Sequence, residues 1–360
     1  MKIKNADWKK ILKGNGLTYL MVAGMFLFCL IYTSTGMASN LFEGLLVPLC
    51  VNVVLAISLN LTVGILGELS LGHAGFMCVG AFAGSIFSMM TVESIESVWI
   101  RFPLAFLIGG ISAALIGFLV GIPTLRLRGD YLAIVTLAFG EIIKNICNNL
   151  YVVKDINGTK IVVGVDAYNQ ITFDGATKVT LVNGAMGITG TPGDSNYFIG
   201  FILILITLAV TLNLVNSRTG RAVMSIRDNR IAAESIGINI TKYKLIAFVI
   251  SAFFAGTAGV LYSHNLASVV ATKFDYNYSI LILVFVVLGG IGNMRGSIIA
   301  AIILTALPEF LRELMDYRML IYAVILITMM IINNNDTVQQ RIRQLTGSIK
   351  LKRGRKEGAG

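Results

Sequence analysis

The chain has 360 residues, of which 56% are hydrophobic and 13% are charged, and its mean hydropathy is +0.78. Soluble domains carry about 25% charged residues, so this composition excludes an ordinary soluble enzyme and indicates an integral membrane protein. The 29 Lys and Arg exceed the 19 Asp and Glu, and the net charge of +10 suits either nucleic acid or anionic lipid as a partner.

The apolar residues gather into ten segments near the length of about 20 residues with which a helix crosses a bilayer. The first follows a basic stretch, residues 1–16, that resembles the start of a signal peptide, but it is long enough to span and lacks a clear cleavage site. We therefore expect an all-α polytopic membrane protein with about ten transmembrane helices, some of them short or broken. The segments are 17–37, 44–63, 69–90, 103–123, 131–150, 197–216, 245–263, 279–291, 297–311 and 318–333.

Lys and Arg are distributed unevenly between these segments. When the segments alternate across the membrane from a cytoplasmic N-terminus, 21 of the 29 Lys and Arg and seven acidic residues lie on the cytoplasmic side. This excess is the positive-inside pattern, so both termini are predicted to be cytoplasmic. Residues 17–336 then form the transmembrane domain, and residues 337–360 form a basic cytoplasmic tail that favours anionic lipid. We expect no nucleic-acid partner.

Two connections between the apolar segments are long. Residues 151–196 are predicted to be an external loop, and their many Gly, Thr and Val favour short strands or a surface helix. Residues 217–244 are predicted to lie in the cytoplasm, and their composition is basic and compatible with helix. The two connections are therefore expected to differ in both side and structure.

The sequence contains no motif for catalysis or for cradling a phosphate. There is no G-x-x-x-x-G-K-[ST] loop and no G-x-S-x-G elbow, and the two histidines, His73 and His264, lack the H-E-x-x-H spacing of a zinc site. The four cysteines lie in apolar stretches, so we expect packing roles and no disulfide. A polytopic protein of this kind is a channel, a gradient-driven transporter or a subunit that a partner powers. We predict no catalytic residue, metal or cofactor in this chain.

Four blocks of sequence carry a resemblance to a known family. The first, residues 59–76, interrupts an apolar context with Gly and small polar residues, as at a helix break beside a translocation path. It is followed in order by residues 121–137, 225–239 and 287–292. Together the four blocks resemble the LivM-type permease subunits of branched-chain amino acid ABC importers, over about residues 50–310.

The resemblance implies a set of partners. A permease of this type forms one half of a transmembrane pathway for leucine, isoleucine, valine or related small amino acids, and a second permease subunit forms the other half. Two ATPase subunits bind ATP and Mg²⁺, and an extracytoplasmic binding protein delivers the substrate to the bacterial plasma membrane. The alternatives at this point are an ABC permease for another small polar solute such as urea or an amide, a stand-alone gradient-driven transporter or channel, and an intramembrane enzyme.

The resemblance also implies that residues 217–244 contain the loop through which ABC permeases couple to their ATPases. The usual form of this loop is E-A-A-x-x-x-G. Ala232, Ala233 and Gly237 match it, while Ile231 stands where the acid would be. The alternative is an ordinary solvated loop with a helical turn. Three further residues are expected to make polar contacts at the rim of this interface: Arg227, Asp228 and Arg230.

Four residues are candidates for the translocation path. Glu141 lies inside an apolar segment, where an ionisable residue costs about 2.5 kcal/mol or more, although Lys144 at i+3 offers a structural pairing instead. His73 can hydrogen-bond a substrate or satisfy a helix–helix contact, and Ser70 and Gly72 can line the path or shape a packed helix break. Each of the four therefore has a functional and a structural interpretation.

Glycines concentrate between the eighth and ninth apolar segments. Gly289, Gly290, Gly292 and Gly296 fall in a turn that joins two segments shorter than a full span. Irregular backbone of this kind occurs at membrane depth only where protein or a water-filled cavity surrounds it. The four glycines are predicted either to form a hinge or to allow close helix packing.

Overall fold

The computed structural model describes residues 8–35, 40–92, 94–127, 129–155, 158–169 and 179–311, with a few isolated positions up to 328. The chain forms two compact units, residues 1–302 and 303–360, and the candidate site lies in the first. One helix of the first unit, α2, continues directly into a π-helical turn, Leu61–Leu66. The helices in chain order are α1 (Trp8–Ser34), α2 (Asn40–Asn60), α3 (His73–Thr91), α4 (Val98–Thr124), α5 (Asp130–Asn148), α6 (Val165–Asn169), α7 (Tyr197–Asn216), α8 (Arg218–Asp228), α9 (Arg230–Ser235), α10 (Ile240–Ser263), α11 (Tyr276–Gly289) and α12 (Met294–Phe310).

Six helical segments among the described residues are long and apolar enough to cross a membrane, and a further apolar helix, Thr18–Ser34, is shorter. These helices confirm a multi-pass helical membrane protein. The predicted count of ten is not confirmed, because α5 is more polar, α12 is shorter, and residues 318–333 lie largely outside the described positions. The sides on which the termini lie stay predictions. The six segments are Phe42–Leu66, His73–Thr91, Val98–Thr124, Tyr197–Asn216, Ile240–Ser263 and Ala271–Gly289.

The helices α3, α4 and α10 pack together through glycine, and we call these three helices the glycine block. A Cβ on Gly80 of α3 would lie 2.3 Å from Gly256 Cα of α10, and a Cβ on Gly109 of α4 would lie 2.8 Å from Gly80 O. The backbones therefore touch, as small residues allow in membrane helices. Helix α2 packs on α10, and every residue from Cys50 to Leu66 is buried.

Five short strands form one antiparallel sheet. Four of them come from the segment between α5 and α7, and the fifth follows α10. Residues 151–196 are predicted to contain short strands or a surface helix, and the described residues contain both short strands and the short helix α6. The fold is therefore helical with one small sheet rather than purely α-helical. The external position of this segment stays a prediction. The strands are β1 (Leu150–Asp155), β2 (Gly158–Val163), β3 (Val179–Asn183), β4 (Ile188–Thr189) and β5 (Ser268–Val269), in the order β2-β1-β3-β4-β5.

Buried polar contacts fasten the ends of the helices near this sheet. Arg101 of α4 donates hydrogen bonds from Nε and Nη2 to Asp194 Oδ2, at 3.2 and 2.5 Å. His264 follows α10 and is fully buried, with its Nε2 2.8 Å from Ser88 Oγ and its Nδ1 2.9 Å from Val260 O. Burial of a polar group costs free energy unless the group is hydrogen-bonded. These contacts therefore offset the cost of burying Arg101 and His264 at this end of the helices.

Candidate coupling and translocation site

The candidate site is built around the π-helical turn that ends α2. All six residues of the turn, Leu61–Leu66, are buried, and Gly67 ends it with a left-handed φ of +78°. The backbone N–H groups of Gly67 and Glu68 both donate to Thr62 O. Turns of this kind are rare, and they occur often at functional sites, so the break predicted within residues 59–76 is a specific distortion of the helix.

The π-helical turn lies directly against the glycine-rich turn between α11 and α12. A Cβ on Gly64 would lie 2.4 Å from Gly292 N and 2.6 Å from Gly292 Cα, so no side chain fits between the two backbones. Asn60, which is fully buried, accepts a hydrogen bond from Gly292 N at 2.9 Å. Its Nδ2 donates to Ser297 Oγ in the first turns of α12 at 3.0 Å. The amide of Asn60 thus binds both the glycine-rich turn and the start of α12.

The four glycines of the predicted hinge have two kinds of environment. Gly290 and Gly292 have positive φ angles of +93° and +81°, which other residues rarely adopt. Gly289 and Gly296 face each other, because a Cβ on Gly296 would lie 1.7 Å from Gly289 O. The second pair supports close packing of α11 on α12, and the role of the turn as a hinge stays a prediction.

Helix α8 ends on the π-helical turn. Arg227 donates from Nη1 to Gly64 O at 3.0 Å, and a Cβ on Gly67 would lie 2.6 Å from its Cγ. The same guanidinium binds Asp228 through Nη2 at 2.9 Å on an exposed surface. The sequence predicts Arg227 as a contact with an ATPase subunit, whereas in the structure much of its side chain contacts the chain's own π-helical turn.

The short helix α9 follows with a well-defined cap. Asn229 accepts from Ala232 N through its Oδ1 at 3.1 Å, as expected of an N-cap. Ala233 is buried in a cluster with Ile226 and Ile240. Gly237 has a φ of +83° and nothing within 4 Å of a Cβ, so its conformation and not a close contact favours glycine.

The outer surface of α9 is apolar at two positions. Ile231 is 81% exposed, more than any other large hydrophobic side chain among the described residues, and Ile236, which directly follows α9, is 73% exposed. Asp228, Arg230 and Glu234 lie on the same short stretch of chain. Two exposed isoleucines among charged residues form the pattern of an apolar interface centre with a polar rim. Ile231 is the position at which the sequence departs from the usual acid of the coupling loop.

A buried ion pair holds the other side of the π-helical turn. Glu68 Oε1 accepts from Lys244 Nζ in the first turns of α10, and the two side chains are only 15% and 4% exposed. The charges are 176 positions apart in the chain. The sequence places Glu68 at a helix break, but nothing local to it points to Lys244 as its partner.

The connection from the π-helical turn into α3 packs closely on α5. A Cβ on Gly72 would lie 2.4 Å from Thr136 O, and Leu71 N donates to Thr136 Oγ1 at 3.0 Å. Ala74 N, an N–H group at the start of α3, donates to Ser279 Oγ of α11 at 3.0 Å. The start of α3 therefore joins α5 and α11, and Gly72 is required at this crossing.

Ser70 and His73 lie inside the bundle. His73 is 2% exposed, and its Nε2 lies 2.8 Å from Ser58 Oγ of α2. Ser70 is 1% exposed, and its hydroxyl has no hydrogen-bond partner among the described residues. The contact of His73 is the helix–helix contact that the sequence leaves as its structural interpretation. A role for either residue in the translocation path stays a prediction.

Glu141 lies on the edge of α5 next to the start of α11. Its carboxylate forms an ion pair with Lys144 and accepts from Tyr276 N at 3.2 Å. Both charged side chains are partly buried, at 27% and 17% exposure. The pairing foreseen from the i+3 spacing is therefore present, together with a backbone contact that joins α5 to α11.

Helix α5 has one buried face and one exposed face. Leu132, Thr136 and Ile143 are buried, whereas a row of residues that recurs every three or four positions is exposed. This period is that of an amphipathic helix. The exposed row consists of Tyr131, Ile134, Ala138, Ile142 and Asn145.

Three residues that build this site escaped the sequence analysis: Asn60, Gly64 and Lys244. Asn60 could have been recognised from the sequence, because a buried amide near the end of an apolar run needs hydrogen-bond partners inside the protein. Gly64 and Lys244 could not have been recognised, since the residues that they contact are distant in the chain. Among the described residues no three His, Cys, Asp or Glu lie close enough together to hold a metal ion. The described part of the candidate site is therefore held together by contacts between helices and turns of this chain.

Comparison with known proteins extends these findings. The sequence profile of the family described as "Branched-chain amino acid transport system / permease component" matches residues 40–332. The chain is 34% identical over 320 residues to the high-affinity branched-chain amino acid transport system permease protein LivM of Salmonella typhimurium, covering 85% of this chain and 71% of that relative. The LivM protein of Escherichia coli K12 has the same identity over the same lengths.

A more distant relative is the probable branched-chain amino acid transport permease protein LivM of Methanocaldococcus jannaschii. It is 26% identical over 194 residues, which are 52% of this chain and 50% of that protein. No solved structure matches the chain significantly. The profile match and the identity to two LivM proteins show that this multi-pass inner-membrane chain belongs to the family of permease components of branched-chain amino acid transport systems.

Proposed function

We propose that this chain is the membrane-spanning permease subunit of an ATP-driven importer of branched-chain amino acids. The observation that supports this most is the family match over residues 40–332, which contains the π-helical turn, α8, α9 and the glycine-rich turn. The complex would include a second permease, two ATPase subunits and an extracytoplasmic binding protein. Because this chain has no phosphate-binding loop in its sequence, ATP and Mg²⁺ would bind to the ATPase subunits.

The whole complex in proteoliposomes tests this function directly. We expect leucine uptake only when two conditions are met. ATP must be present on the side of the membrane that carries the ATPase subunits, and the binding protein must be present with leucine bound. Vesicles that hold this chain alone are the control, and they should take up no leucine under an ion gradient. Uptake by the chain alone that ignores ATP would establish the gradient-driven alternative, and uptake of urea or an amide in place of leucine would establish another solute.

The ATPase would dock on α9. An exposed apolar pair in a charged surround suits a protein partner, because burial of such side chains at an interface centre supplies most of the binding free energy. Ile231 and Ile236 provide this pair, and the buried Ala233 seats α9 on the chain's own helices. The docking surface therefore consists of the residues that point away from Ala233.

Aspartate at both isoleucines is expected to remove the ATPase subunits from the complex. The substitutions Ile231→Asp and Ile236→Asp put charges where an apolar contact is needed. ATP-driven uptake should therefore fall about tenfold or more. Co-purification of the ATPase subunits and leucine uptake measure the effect. Ile161→Asp is the control, since Ile161 is 67% exposed on β2 and away from α9. Retention of the ATPases by the doubly substituted chain would contradict the assignment.

The exposed face of α5 would form this chain's half of the pathway. The helix carries Glu141, Lys144 and Asn145 at the edge of its exposed row, and ionisable groups at membrane depth face a protein or an aqueous cavity rather than lipid. The neighbouring start of α11 adds the exposed Tyr276 and Ile280. We therefore place the second permease against α5 and α11, with the solute passing between the two chains.

Cysteine labelling in the assembled complex distinguishes a pathway face from a lipid face. Ala138→Cys on α5 is expected to react with a charged, water-soluble thiol reagent, whereas Ile206→Cys on α7 should not, although Ile206 is 50% exposed. The native chain gives the background, because its four cysteines are buried. Equal reaction rates at the two positions would show that α5 does not border the pathway.

A further inference from the structure

Gly64 O stands at the end of a helix, where carbonyl groups have no partner within the helix itself. Arg227 supplies that partner from α8, at 3.0 Å from Nη1. The carbon stem of the same side chain lies on Gly67, where a Cβ would come within 2.6 Å of Cγ. The end of α8 therefore holds the π-helical turn both through a charge-assisted hydrogen bond and through direct contact.

Asn60 holds both the glycine-rich turn and the start of α12. Its oxygen accepts from Gly292 N at 2.9 Å, and its nitrogen donates to Ser297 Oγ at 3.0 Å. Asn60 and Ser297 are both fully buried, so water cannot replace either bond without entering the core. The Oδ1 of Asn60 is also the atom nearest to a Cβ on Gly64, at 2.0 Å. Asn60, Gly64 and Gly292 thus form one continuous contact.

We propose that the π-helical turn is the mechanical link between the ATPase docking helix and the glycine-rich turn, and that Asn60 is its positioning residue. A shift of the docking helix α9 would move α8, because Ala233 of α9 and Ile226 of α8 lie in one buried cluster. Helix α8 would then push on Gly64 and Gly67 through Arg227, and the backbone contact of Gly64 on Gly292 would pass the shift to the start of α12. Densely packed groups transmit displacement because there is no free volume to absorb it. This inference rests on the proposed function, since only a docked ATPase would move α8.

The test measures how many leucine molecules are imported for each ATP hydrolysed by the complex in proteoliposomes. In Asn60→Ala and in Arg227→Ala we expect ATP hydrolysis to continue with the loaded binding protein, while this ratio falls about fivefold or more. The double substitution is expected to lower the ratio no further than either single one, because both break the same link. Ser297→Ala removes one of the two bonds of Asn60 and should give an intermediate ratio, so the test stands even if Asn60→Ala does not fold.

Asn52→Ala is the matched control. Asn52 also lies on α2, is buried, and accepts at 2.8 Å from Oη of Tyr278, which lies at the start of α11, whereas the glycine-rich turn follows the end of that helix. It should lower the unfolding temperature as Asn60→Ala does and leave the ratio of import to hydrolysis unchanged. An unchanged ratio in both Asn60→Ala and Ser297→Ala, or an equal fall in Asn52→Ala, would overturn the link. A native complex that imports leucine without ATP would instead overturn the proposed function.

Discussion

Replacing Gly64 with alanine is expected to abolish leucine uptake by the complex. The new Cβ would lie 2.0 Å from Asn60 Oδ1 and 2.4 Å from Gly292 N, and neither a buried amide nor a backbone can move aside cheaply. Overpacking of this kind costs about 1–3 kcal/mol or more, and here it separates the two turns that the proposed link joins. Uptake in proteoliposomes and the unfolding temperature of the purified chain measure the two consequences.

Gly44→Ala provides the control for Gly64→Ala. Gly44 lies on the same helix, α2, is exposed, and has no atom within 4 Å of the place that a Cβ would occupy. Because alanine favours helix over glycine by about 1 kcal/mol, this change should leave uptake intact and stabilise the helix slightly. Native uptake in Gly64→Ala would show that the π-helical turn can separate from the glycine-rich turn without loss of transport.

Removing the positive charge at residue 244 is expected to destabilise the chain strongly. Lys244→Ala leaves the mostly buried carboxylate of Glu68 without its partner, and breaking a buried pair in this way costs about 3–5 kcal/mol. The midpoint of thermal unfolding in detergent should fall, and uptake should fall with it. Lys242→Ala is the control, because Lys242 lies on the same helix and is exposed.

A second substitution separates charge from packing at this position. If the loss in Lys244→Ala comes from the unpaired carboxylate, then Glu68→Gln combined with Lys244→Met should recover most of the stability, since no buried charge is left over. Equal unfolding midpoints for Lys244→Ala and Lys242→Ala would show that the ion pair contributes little. Failure of the combined variant to recover would show that the two side chains matter for their shape.

Hydropathy located the central helices well because they are apolar along their whole length. The segments predicted at 197–216 and 245–263 coincide closely with α7 and α10. Helix α5, predicted as the span 131–150, is not among the six apolar segments of the described residues, so its crossing of the membrane stays a prediction.

The candidate site was predictable in its parts but not in its connections. The helix break, the coupling loop and the glycine-rich turn each have a local signature of small or polar residues. The contact that joins them, from Asn60 to Gly292, bridges 232 positions, and a single sequence carries no trace of it. Arg227 shows the same limitation, because its bond to Gly64 O joins residues 163 positions apart, while its predicted contact with an ATPase subunit stays a prediction.

The glycine block would affect how the complex uses the work of ATP hydrolysis under the proposed function. Backbones meet directly at Gly80, Gly109 and Gly256, where there are no side chains that could change rotamer. The glycine block therefore has little conformational entropy and deforms little under force. Under the proposed function, a force that reaches α8 would meet stiff packing in α3, α4 and α10, whereas the glycines of the glycine-rich turn would accept new backbone angles more easily. The strain would then concentrate in the glycine-rich turn rather than spread through the bundle.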